Sequence, residues 1–141
     1  MTIPLFTLLG FASWTLLVLM ATVGVYRWTL ILSGSAAIHT FPADAPTGAD
    51  WYRRATRAHA NCVENLPVYA SIVFVMSQLG VAGPLVDTLC WVVLGARICQ
   101  TTIHVAFVQT ARAVSFRFSF FTLQLLSMLG LIVLIVLRLA A

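Results

Sequence analysis

The stretch Leu5 to Leu32, LFTLLGFASWTLLVLMATVGVYRWTLIL, carries a single charged side chain, Arg27, close to its far end. A hydrocarbon core about 30 Å thick is crossed by roughly 20 apolar residues in an α-helix rising about 1.5 Å per residue. The segment is long enough to span. Its apolar residues are continuous and do not alternate every second position, which argues against a membrane β-strand. It has no basic leader and no obvious cleavage site ahead of a soluble domain, so it reads as a true span and not as a removable signal.

Outward from this run, the pattern repeats. A loop from Ser33 to about Asp50 contains the breakers Pro42, Asp44, Pro46 and Gly48. Thr47 or Asp50 is placed to cap a second helix over 50–79. Gly80, Gly83 and Pro84 form a tight turn, and a third helix follows over 85–108. A link through Gln109 and Arg112 leads to a fourth over 115–139. Hydrophobic residues are 61% of the chain and charged residues 9%, against roughly 25% charged in soluble domains. A soluble chain of 141 residues could not hide so much apolar surface. The expected fold is an all-α integral membrane bundle of four transmembrane helices in one domain, 1–141, without internal repeats.

The net charge is +4, and all eight basic residues are arginines. No aqueous basic face is left to offer nucleic acid; membrane lipid headgroups or an anionic ligand are the natural partners. Arg27, Arg53, Arg54 and Arg57 flank the first loop, Arg112 and Arg117 the third, and the second turn has none. By the positive-inside rule loops one and three face the cytoplasm, and both termini lie on the other side. The short length and the absence of lysine point toward a bacterial inner membrane. Cys62, Cys90 and Cys99 fall inside spans without metal or redox spacing and read as small buried apolar residues. No metal site, nucleotide motif or phosphate loop is expected.

The informative segment is the polar first half of helix two, RRATRAHANCVENLP, Arg53 to Pro67. Arg57, Asn61 and Glu64 are spaced by four and three, so they share one helical face, and Arg53 extends it by a turn. An ionisable group at bilayer depth is expensive and must face the bundle interior or a watery cavity. The stripe is then either a polar clamp fixing helix packing, with Arg53 and Arg54 reaching the headgroups, or the lining of a ligand site. Arginine forks suit carboxylates, Glu64 suits an ammonium, and Asn61 both donates and accepts. His59 lies off the stripe. In helix three Arg97 stands alone in an apolar run and needs a partner, for which Glu64 is the obvious residue. Gln100 and His104 follow on the same face, and His104 is suited to hydrogen bonding or proton transfer.

The run Arg-Ala-His-x-Asn-x-x-Glu-Asn-x-Pro, here Arg57 to Pro67, resembles the second-helix motif of the MAPEG proteins, which include microsomal glutathione transferases. Ala96-Arg97 resembles the Ala-Arg pair of the family's third helix. The resemblance implies a homotrimer binding glutathione between neighbouring subunits on the cytoplasmic side. It places Arg57, Asn61, Glu64 and Arg97 at the tripeptide, with Arg53, Arg27 and His104 as further binding residues. It also implies that Arg117, in register with the family's helix-four arginine, stabilises the thiolate, because a neighbouring cation favours the ionised thiol.

The chain departs from the family where Gln100, His104 and Phe121 stand in place of residues that several members use to hold the ligand. The link between helices three and four is also longer than in the eicosanoid synthases. The leading expectation is a membrane transferase or peroxidase. It would turn glutathione, or a similar thiol, as co-substrate against a hydrophobic electrophile or lipid hydroperoxide, with Phe116, Phe118, Phe120 and Phe121 near its arginine. The alternative is a non-catalytic lipid-binding or scaffold subunit of the same fold. An anion-conducting subunit is the third class, and it lacks an obvious continuous polar route.

Overall fold

The computed structural model describes residues 2–42 and 46–140; Asp44, assigned to the first loop, lies outside the described residues. Four helices are each long and apolar enough to cross a membrane: α1 (Ile3–Leu32), α2 (Asp50–Leu79), α3 (Pro84–Ala106) and α4 (Ala111–Ala140). No strand occurs among the described residues. A short 3-10 turn, Ile38–Thr40, interrupts the first loop. A spanning chain must satisfy its backbone polar groups internally, and long helices are how this sequence does so.

The ends of the helices follow local chemistry. At the far end of α2, Gly80 adopts a left-handed conformation (φ +62°) that lets the chain turn at once. Pro84 then opens α3, where its missing N–H is no loss. The fourth helix begins four residues ahead of the expected Ser115, because Thr110 caps it: its hydroxyl accepts the Ala113 N–H at 3.2 Å. Neither Thr47 nor Asp50 caps α2. Ala49 occupies the cap position without a side-chain bond, and the Asp50 carboxylate is drawn to Arg53 and Arg54 one turn on.

α3 is the central element, packed most extensively on α4 and also touching α1 and α2. The core gathers Phe11, Tyr69, Val73, Met76, Val93 and Leu131. Outward-facing Leu16, Phe74, Leu126 and Leu137 are 60% to 64% exposed, as suits surfaces whose solvent is lipid. Polar contacts within this core are few and specific. The Tyr69 and Thr7 hydroxyls meet at 2.6 Å with both residues fully buried.

The buried stripe of α1 runs Pro4, Thr7, Phe11, Thr15, Val18 in steps of three and four. The next buried position is Val23, five residues on, because Leu19–Gly24 forms a π-helical turn. One extra residue in a turn rotates everything beyond it by about 100°. The last third of α1 therefore presents a different face from the one its first half would dictate.

Tyr69→Phe removes one arm of the buried α1–α2 hydrogen bond and keeps the ring. A loss of about 1 kcal/mol is expected, read as a lower midpoint when the purified protein is unfolded in mixed detergent; an unchanged midpoint would make the contact energetically silent.

Candidate functional site

The site lies where α1 ends, α2 begins, α3 ends and α4 begins. α2 is 30 residues long, about 45 Å, and so exceeds a hydrocarbon core of about 30 Å by several turns. Its first turns, with Arg53 and Arg54, project toward headgroups and water. Glu64, about 21 Å along the axis from Asp50, lies inside the bilayer. The polar face thus descends from the surface into the span.

Two neighbouring spaces occupy this end of the bundle. The outer one, a cleft of about 960 Å³, is bordered among the described residues by Arg53, Arg54, Arg57 and Arg117 and by the carboxylates of Asp50 and Glu64. Asn61 and the largely buried His104 also border it, and Pro46 and Thr47 of the first loop supply its remaining edge. Asp50 is already committed: it pairs with Arg53 at 2.9 Å and with Arg54. Arg54 also donates toward the Val105 carbonyl at 3.4 Å, tying α2 to the end of α3. Arg57, Arg117 and Glu64 form no ion pair among the described residues, so their charges face the cleft.

The inner space, about 260 Å³, adjoins the outer one and shares Asn61, Glu64 and Arg117 with it. Its other polar residues are Asn65 and Gln100; Val114, Phe118 and Phe121 give it an apolar side. Phe118 is 66% exposed in the single chain. Gln124, fully buried, donates from its amide to Asn65 Oδ1 at 3.5 Å and so steadies one wall.

One family model, described as the MAPEG family, matches residues 4–137. The chain belongs to the MAPEG family. No curated protein matches it. The MAPEG family is a membrane four-helix bundle and includes glutathione transferases and related proteins.

The structure brings Arg53, Arg57, Asn61, Glu64, His104 and Arg117 of this MAPEG chain to one cleft. Two of the arginines expected as ligand contacts, Arg27 and Arg97, stand apart from it. Arg27 is occupied elsewhere: its Nε donates to the Tyr52 hydroxyl at 2.8 Å, and its guanidinium lies 5.4 Å over the Phe41 ring. Arg97 is fully buried, 5.4 Å over the Phe11 ring, and its three nitrogens find no hydrogen-bond partner among the described residues. The Arg97–Glu64 ion pair, expected because a lone arginine in an apolar run needs a partner, is not formed among the described residues. The aromatic run of α4 is divided: Phe118 and Phe121 line the inner space, while Phe116 points outward, 61% exposed. Sequence reasoning passed over Gln109, Asn65 and the Pro46–Thr47 edge. Asn65 was visible in the motif; the other contributions depend on how loops fold back.

Replacing a buried charge that lacks a partner by an apolar residue of similar volume is often neutral or stabilising. Arg97→Met is expected to unfold in detergent no earlier than the parent chain. A midpoint lowered by several degrees would show that the guanidinium is compensated in the assembled protein.

Proposed function

We propose that this chain is a membrane-bound thiol transferase of the glutathione type, acting on a hydrophobic electrophile or lipid hydroperoxide. The observation that carries this reading is the junction of two unlike spaces at Asn61, Glu64 and Arg117. The outer cleft, with four arginines and two carboxylates among the described residues, suits a small peptide bearing two carboxylates and one ammonium. Arg57 and Arg53 would take carboxylates as charge-assisted forks, Glu64 the ammonium, and Asn61 and His104 the backbone amides. Arg27 and Arg97 support this arrangement from the surrounding packing and not by contact.

At the junction, Arg117 would face the thiol. A guanidinium beside a sulfur stabilises the thiolate, which is the nucleophile, and leaves it directed at the apolar inner space where a lipophile would sit. The sulfur then forms a bond to the electrophilic centre as the leaving group departs with its electron pair. The family's trimeric assembly and a bacterial inner membrane location, with the arginine-rich end cytoplasmic and both termini opposite, complete the reading.

A second reading, a non-catalytic subunit holding a lipid in the inner space, is favoured by one feature: Phe121 and Gln100, which line that space, supply no phenolic hydroxyl to a reaction centre.

Calorimetry on the detergent-purified protein tests the proposal. Glutathione is expected to bind in the micromolar-to-millimolar range. Arg57→Ala and Glu64→Ala each remove a charge-assisted contact and should weaken it by about ten- to a hundredfold. Arg53→Ala should cost less, because Arg53 already serves Asp50. Arg117→Ala should leave binding largely intact and abolish the ultraviolet thiolate absorbance of the complex. A folded protein that binds no glutathione would sink the proposal; retained thiolate in Arg117→Ala would remove that residue from its role.

A further inference from the structure

One edge of the outer cleft comes from no helix. Pro46 and Thr47 stand there, just ahead of Gly48 and Ala49, and this short stretch must be held in place for the cleft to keep its shape. α1 holds it through Tyr26. The Tyr26 ring stacks on Tyr52 with centroids 4.2 Å apart and meets Trp51 edge-on at 5.4 Å. Its hydroxyl accepts the Ala49 N–H at 3.2 Å, a backbone donor at the start of α2 where no side chain caps the helix.

The fit is close. Gly48 has φ +117°, and a Cβ built on it would lie 2.5 Å from the Tyr26 hydroxyl oxygen, an approach only glycine permits. Tyr26 reaches this place because of the π turn at Leu19–Gly24. In an unbroken α-helix it would be rotated away by about 100°. π turns are retained at functional positions despite their poorer geometry.

We propose that Tyr26 is a positioning residue of the site. It fixes the Pro46–Thr47 edge against the cleft, and with it the start of α2, from which Asp50 orients Arg53 and Arg54. What the cleft holds rests on the glutathione reading above; the fixing of its edge does not.

Tyr26→Phe removes the hydroxyl and keeps the stacked ring, so the fold should survive. Hydrogen exchange by mass spectrometry should show the segment around Ala49 exchanging about five- to tenfold faster, the equivalent of one lost hydrogen bond. The KM for glutathione should rise several-fold while kcat at saturating glutathione stays unchanged, a split that general destabilisation would not produce. Gly48→Ala should do less harm in the Tyr26→Phe background than in the parent, because the clash is with the hydroxyl. Unchanged exchange at Ala49 overturns the proposal. So does faster exchange with an unaltered KM in an active protein. If the parent chain binds no glutathione, the functional reading falls by itself, and the exchange and the Gly48 comparison still decide the role of Tyr26.

Discussion

A charged side chain within a lipid-spanning bundle has two tolerable positions, the water-facing ends or a polar interior, because hydrocarbon solvates it so poorly. Eight arginines in a chain of this size make that constraint the organising one. Arg53, Arg112 and Arg138 take the first course and stand exposed near helix ends. Arg57, exposed, and Arg117, partly buried, border the cleft. Arg97 goes furthest, sealed inside the bundle over an aromatic face. The helices have to be arranged so that each of these is accommodated, and the cleft is the space the arrangement creates.

The architecture was largely readable from composition. Long apolar runs separated by glycine and proline turns leave little freedom in a membrane, where backbone groups must be paired within the segment. What composition could not supply were the local decisions at the ends. Thr110 starts α4 early with one hydroxyl-to-backbone bond, a signal hidden among residues that read as a link. The π turn in α1 had no signature at all: Leu19 to Gly24 look like any other apolar stretch. Only the buried positions betray it, by a stride of five between Val18 and Val23.

The candidate site was partly legible for the same reason. Arg57, Asn61 and Glu64 lie on one helix, and helical spacing is enough to align them. Contacts between elements were harder. An Arg97–Glu64 pair satisfies the need of a buried charge for a partner, yet the described chain places Arg97 against Phe11. Arg27 sits near the site in sequence logic and is diverted by Tyr52 and Phe41. Both depend on the relative rotation of helices, to which spacing along one helix is blind. The Pro46–Thr47 edge belongs to a loop, where periodicity says nothing.

The inner space has one side formed by α4 residues, among them Phe118, which is 66% exposed in the single chain. On the proposed function, an apolar occupant would arrive by lateral diffusion in the membrane, a thin two-dimensional reservoir in which lipophiles accumulate far above their aqueous level. Its occupancy would follow the number of molecules per lipid, so adding lipid at constant total ligand would lower saturation without any change in the protein. A polar occupant of the outer cleft obeys ordinary solution concentration. On that reading the two halves of the site would answer to two different phases.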